Sequence, residues 1–104
     1  TTLAALVAAT PELPRGPAWR ALAAKAAALP PDWPATLLDA PERYASCSRE
    51  AVGLLLDFSR QPVDAATLDL LLALAGERRL PEWRAALFAG EPVNTTEARP
   101  ALHM

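Results

Sequence analysis

The sequence predicts a mainly α-helical chain with one small β-hairpin, an α+β arrangement. Three observations predict it. Hydrophobic residues make up 52% of the 104 residues, and they are mostly Ala and Leu, with only six aromatics, a balance that favours helices and offers few large core anchors. Apolar residues recur at intervals of three and four in several stretches bounded by proline. One stretch, Val52 to Phe58, alternates instead, Leu54, Leu56 and Phe58 against Leu55 and Asp57, which is strand periodicity.

The elements follow in order. Leu3, Leu6 and Val7 have helical spacing and predict a short first helix closed by Pro11. Pro17 is suited to a first helical position because its missing N–H is not needed there, and Trp19, Leu22, Ala23, Ala26 and Leu29 then form one apolar face. Pro30 and Pro31 stop this helix, since neither has an N–H to donate and each forces the residue before it out of the α region. Asp32 is placed to cap a short helix from Trp33 to Asp39, with Leu37 and Leu38 facing inward. Beyond Pro41, strands are expected at Tyr44 to Ser48 and at Val52 to Phe58, joined through Arg49 to Ala51, with Gly53 marking a bulge. An isolated hairpin is marginal in water, so helices are expected to pack over it.

Asp64 predicts the cap of the strongest helix, in which Leu68, Leu71, Leu72 and Ala75 share a face that Leu70 and Leu74 widen. So much leucine predicts burial on two sides, and a segment of this length that lacks the second layer is left with an open apolar face. Gly76 weakens the last turn, and Arg78 and Arg79 complement the carboxyl-terminal dipole. Pro81 opens the next helix, through Trp83, Leu87 and Phe88, and Gly90 closes it. Asn94 with Glu97 three residues on has the spacing of a capping box. Pro100 sets two helix starts in competition. Either Asn94 to Glu97 is a hydrogen-bonded turn with the helix beginning near Pro100, or a helix begins after Asn94 and bends at the proline. The first is preferred, and Ala101 to Met104 then begin a helix that the sequence leaves unfinished.

Composition excludes several classes of function. The net charge is −2 and no run of like charge exceeds Arg78–Arg79, so neither a nucleic-acid surface nor a basic membrane-binding face is expected. No apolar run approaches the ~20 residues that cross a bilayer, because prolines 11, 14 and 17 interrupt the first one. That first stretch, TTLAALVAAT, has the apolar character of a signal-peptide core but no basic residue before it, and Cys47 is the only cysteine. A reducing, cytoplasmic setting is therefore expected. Asn94-Thr95-Thr96 fits the glycosylation pattern, which without an export signal is read as chance. With no Gly/Ser linker, repeat or charge block, residues 1–104 are read as a single segment.

Chemistry is scarcer than structure. Hydroxyl or thiol catalysis needs a neighbouring base, and the one histidine, His103, is next to the last residue. Cys47, between two serines, is read as a small buried hydrophobe. The four glycines, at 16, 53, 76 and 90, make no phosphate cradle, and no His, Cys or Asp cluster has metal spacing, so no metal site is assigned.

The residues Asn94, Thr96, Glu97, Arg99, Leu102 and His103 form N-x-T-E-x-R-x-x-L-H after a Gly90-Glu91 turn. This pattern resembles the amino-terminal region of glucose-6-phosphate isomerases. Leu54 to Ala75 is similar to the strand, turn and helix that precede the motif in that family, and Phe88, Gly90 and Glu91 fit its approach. The resemblance runs from about Pro41 to the end and more loosely through Trp19 and Trp33. Pro100 departs from it, standing where the family often has a smaller helix former. The resemblance implies the amino-terminal helical segment of a larger α/β sugar-isomerase (SIS-type) enzyme, with the catalytic α/β domains outside this chain.

The activity it implies is interconversion of glucose 6-phosphate and fructose 6-phosphate through an enediolate. No cofactor is implied, and a homodimer with its site at the interface is usual. Because the family's base, ring-opening groups and phosphate loop lie in later sequence, no catalytic or substrate-binding residue is assigned in this chain. Asn94, Thr96, Glu97, Arg99 and His103 are expected to form a turn and helix start that braces the sugar-phosphate-binding domain, or to support the groups that touch substrate. A different class stays open, an autonomous helical interaction module whose Leu68 to Leu74 face docks a partner helix. Sequence beyond Met104 distinguishes the two: several hundred further residues of α/β pattern exclude the module, and a stop codon excludes the isomerase.

Overall fold

A computed structural model of the chain describes residues 2–10, 12 and 15–102. Six helices and two strands follow one another in it: α1 (Leu3–Ala9), α2 (Pro17–Ala27), α3 (Trp33–Leu38), α4 (Arg43–Ser46), β1 (Ser48–Ala51), β2 (Leu54–Asp57), α5 (Ala65–Glu77) and α6 (Leu80–Phe88). The α+β expectation holds, with a single two-stranded antiparallel sheet among helices.

Helices α2 and α5 pack against each other and form the main contact of the fold. The ends of the pair are tied crosswise. Gly16 caps α2 without a side chain, and Pro17 has no N–H, so the first free donor of the helix is the Ala18 N–H. It donates to Glu77 Oε1 at 2.9 Å, from the last turn of α5 and 59 residues away. At the other end Lys25 Nζ donates to Asp64 Oδ2 at 3.0 Å. The same Asp64 caps α5, its Oδ1 accepting from Thr67 N at 2.8 Å and from Thr67 Oγ1 at 2.7 Å. The helices are therefore antiparallel, each carboxylate lying against the positive end of a helix dipole. A Cβ at Gly16 would meet Glu77 Oε2, so a larger residue there would displace the carboxylate from the Ala18 N–H.

Helix α1 caps itself through Thr2 Oγ1, which accepts from Ala5 N at 3.2 Å, and docks on α6. Trp83 Nε1 donates to Thr10 Oγ1 at 3.1 Å, and the Thr10 hydroxyl donates in turn to Leu6 O at 2.7 Å. A tryptophan in α6 thus holds the carboxyl end of α1. Helix α5 turns into α6 through Arg79 at φ +54°, a left-handed position, where the guanidinium donates to Glu82 Oε1 from Nε and Nη2 at 3.1 and 3.0 Å. Gly90, at φ +73°, closes α6 as expected: its N–H donates to Leu87 O and that of Glu91 to Ala86 O, the two bonds of a Schellman cap.

Several expectations are corrected. The segment 43–46 is a helical turn and not a strand, and residues 49–51, expected as the hairpin loop, belong to β1. The reason is Arg43, 8% exposed, whose guanidinium donates to the backbone carbonyls of Ser59, at 2.5 Å, and Gln61. Satisfying that buried cation requires Arg43 to face the loop after β2, which the helical turn allows. The hairpin turn is Val52-Gly53, with φ of +48° and +77°, so Gly53 is a turn residue and not a bulge. Asp32 precedes α3 without a side-chain cap bond. Ala101 and Leu102 are not helical, and the remainder of the helix expected there, His103 and Met104, lies outside the described residues.

The cover expected over the hairpin is missing too. Leu54, Leu55 and Leu56 are 70%, 60% and 61% exposed, and on α5 Leu72 is also exposed, so the two-sided burial of that helix is not met within this chain. Among the described residues the buried hydrophobic side chains are Leu6, Ala18 and Cys47, and none of them is completely enclosed. The accessible surface is 7651 Å². A compact protein of 11.1 kDa would expose about 5,700 Å². The radius of gyration, 17.2 Å, exceeds the roughly 13 Å of a compact domain of this length. No helix among the described residues is long and apolar enough to cross a membrane.

The crosswise tie makes a prediction about stability. Glu77→Ala removes the acceptor of the Ala18 N–H and is expected to lower the unfolding free energy by about 1 kcal/mol, the usual cost of losing a helix cap. Urea titration followed by circular dichroism measures it. An unchanged midpoint would mean that water satisfies Ala18 equally well.

Candidate functional site

The motif residues gather in one tight turn. Asn94 and Arg99 face each other across an isolated antiparallel bridge, Asn94 N donating to Arg99 O at 3.1 Å and Arg99 N to Asn94 O at 3.2 Å. Inside the loop Asn94 Oδ1 accepts from Thr96 Oγ1 at 2.7 Å and from Glu97 N at 3.3 Å, while Asn94 Nδ2 donates to Glu97 Oε2 at 3.2 Å. Half of the expected capping box is present. The other half differs, because the backbone N–H of Asn94 is committed to Arg99, so the Glu97 carboxylate takes the side-chain amide instead. Ala98 at φ +53° lets the chain close the turn. This is the hydrogen-bonded turn preferred from the sequence over a helix starting after Asn94.

Of the five residues singled out, Asn94, Thr96 and Glu97 meet through their side chains. Arg99 joins through its backbone and is exposed, and His103 lies outside the described residues. The arrangement orders a loop through these contacts. Glu97 is engaged by Asn94, and no second ionisable side chain is paired with it among the described residues. No group of three or more His, Cys, Asp or Glu among the described residues is placed to hold a metal ion.

A second feature is a cleft of about 680 Å³ between α2, α3 and α5. Its apolar walls include Trp19, Leu22, Leu29, Trp33, Leu37 and Leu71. Lys25 is the one cation lining it among the described residues, and it is paired with Asp64. The Thr67 hydroxyl, also in the wall, is engaged by the same carboxylate. With Lys25 and Asp64 paired to each other, the cleft presents mainly apolar surface. Trp33 and Leu37 bring α3 to this cleft, so the short proline-bounded helix has a packing role there.

Sequence reasoning found the cap at Asp64 and the turn at Asn94, which are local. It missed the anchoring roles of Arg43 and Glu77, whose partners lie 16 and 18 residues away for the first and 59 for the second. A buried arginine in an otherwise polar stretch, Pro41 to Arg49, carries no periodic signal. Cys47 is buried as expected, but beside α4 and not within a strand; its Sγ lies 3.8 Å from Val63 O.

Asp64 gives the site a pH dependence. The backbone N–H of Thr67, then the Thr67 hydroxyl and Lys25, hold its carboxyl at about 2, below its ordinary 3.8. A carboxyl depressed in the folded state binds its proton more readily when unfolded. Its contribution is therefore complete above pH 3.8 and is lost as pH falls from there toward 2. Asp64→Asn is expected to keep much of the cap while flattening the stability profile across that window, as read from urea midpoints at successive pH values. Equal acid sensitivity in both proteins would assign the loss to other carboxylates.

Asn94→Ala deletes both acceptor contacts and the amide donor of the turn. An exposed turn of this kind is worth about 1 kcal/mol, so residues 94–99 are expected to exchange their amide hydrogens about fivefold faster. Unchanged exchange at Glu97 and Arg99 would show that the backbone bridge alone closes the loop.

Comparison with known proteins adds to this geometry. Residues 57–104 match the protein family described as Phosphoglucose isomerase. Among curated relatives, the glucose-6-phosphate isomerase of Anaeromyxobacter dehalogenans (strain 2CP-1) is 48% identical over 96 residues, covering 91% of this chain and 18% of the relative. Glucose-6-phosphate isomerase 2 of Cupriavidus pinatubonensis is 60% identical over 55 residues, 53% of this chain and 10% of the relative. That of Shewanella denitrificans is 42% identical over 92 residues, 88% of this chain and 17% of the relative. The chain thus spans less than a fifth of the length of the curated relatives it matches. No solved structure matches it.

Proposed function

This chain belongs to the phosphoglucose isomerase family, and on that premise we propose that it is the amino-terminal segment of an enzyme interconverting glucose 6-phosphate and fructose 6-phosphate. The observation that carries the reading is the identity shared along nearly the whole chain with a relative bearing that name. The reaction moves a proton between C1 and C2 through an enediolate, which requires a base within hydrogen-bond reach of the sugar. Residues 1–104 form one non-catalytic segment in this proposal, and the catalytic α/β domains lie elsewhere in the polypeptide. The closed turn at Asn94, Thr96, Glu97 and Arg99, with His103 following, braces the domain that binds the sugar phosphate. The engagement of Glu97 by Asn94 supports a bracing role over a catalytic one. The complete enzyme works without a cofactor, as a homodimer in the cytoplasm.

The exposed leucines keep the interaction-module reading in view, since an unpartnered apolar surface also suits a docking protein. Activity separates the two. The full-length polypeptide is expected to convert fructose 6-phosphate to glucose 6-phosphate in an assay coupled to glucose-6-phosphate oxidation, while the 104-residue chain gives the buffer rate. A folded full-length protein with no turnover refutes the isomerase. A rate from the short chain that survives purification refutes the claim that it is non-catalytic.

A further inference from the structure

On the reading that this chain is part of a longer isomerase, we infer that one face of the β1–β2 hairpin, carrying Ala51, Leu54 and Leu56, is the seat of the remainder of its own polypeptide. The register decides which residues share that face. Ser48, Arg49, Glu50 and Ala51 pair with Asp57, Leu56, Leu55 and Leu54 in that order. Side chains alternate across a pleated pair, so Arg49, Ala51, Leu54 and Leu56 lie on one side and Ser48, Glu50, Leu55 and Asp57 on the other. The second side is polar apart from Leu55 and suits water.

The first side does not suit water. Its one charged residue, Arg49, is folded back, with Nη1 donating to Ser46 O at 3.0 Å and to Ser48 O at 2.7 Å. Its guanidinium carbon also sits 5.7 Å from the centre of the Phe58 ring. With that charge engaged, what faces outward is aliphatic, and Leu54 and Leu56 are 70% and 61% exposed. A two-stranded hairpin with an apolar face needs a third layer to be stable. Helices α1 to α6 do not supply it, as the exposure of both leucines shows.

Two observations point to the rest of the polypeptide as the occupant. The match to the Anaeromyxobacter relative leaves more than four-fifths of that protein's length uncovered, ample for a second layer. The accessible surface also exceeds that of a compact protein of this mass by about 2,000 Å², an excess on the scale of a domain interface.

Hydroxyl-radical footprinting of the full-length polypeptide, read by mass spectrometry at Leu54, Leu55 and Leu56, tests the inference. It is run across a concentration series that spans dimer and monomer. Leu54 and Leu56 are expected to oxidise several-fold more slowly than Leu55, and no faster on dilution. Equal oxidation of the three leucines overturns the proposal. Protection that disappears as dimers dissociate also overturns it, because the occupant is then a second copy. Isomerase activity is measured on the same sample. An active enzyme with an open face sinks the docking alone, and an inactive protein with concentration-independent protection sinks the isomerase reading alone.

Discussion

The antiparallel contact of α2 with α5, tied at both ends, is the constraint on which the rest of this structure depends. Each tie matches a carboxylate to a helix start: Glu77 reaches the free N–H of Ala18, and Asp64 caps its own helix while holding Lys25. Neither contact is large in energy. Exposed ion pairs contribute little, and a cap contributes about 1 kcal/mol. Their importance is geometric, because two contacts at opposite ends of a helix pair set its register, and a slide of one turn, about 5.4 Å, would break both. The α3 cleft and the α6 turn are then positioned from α5, and α1 from α6.

A second group of interactions ties the hairpin to this frame. Arg43 lies under the loop after β2 and donates to two of its carbonyls, while Cys47 fills the space beside it. A buried guanidinium with only backbone acceptors is costly to desolvate, and those carbonyls offset the cost only while the loop keeps its path. The loop leads directly into the Asp64 cap, so the Arg43 anchor and the helix pair support each other. Beyond the anchor the hairpin projects with its leucines uncovered, and this is where the fold within these residues stops being self-sufficient.

The thin core and the excess surface bear on function through the same physics. A segment with three buried hydrophobic side chains among its described residues gains little from its own packing. The motif turn from Asn94 to Arg99 is different in kind. It is closed by its own hydrogen bonds and exposed throughout. The bracing role proposed for this turn draws on that self-contained closure.

What the sequence determined by itself was encoded within about four residues. Proline and glycine set the ends of α2 and α6 to within a residue or two, Asp64 capped α5 through Thr67, Asn94 met Thr96 and Glu97, and the alternation of Leu54 to Asp57 became a strand. The family motif was also legible, since it rests on residue identities and spacing. Tertiary structure decided the rest. It made residues 43–46 helical because Arg43 had to reach carbonyls 16 and 18 residues away. It moved the hairpin turn to Val52-Gly53, and it joined Ala18 to Glu77 across 59 residues. It also left the leucines of the hairpin uncovered, although the sequence pattern called for helices over them. Local hydrogen bonds have their geometry written in sequence spacing, whereas a contact between distant segments exists only once packing has brought them together, and no periodicity in the chain records that meeting.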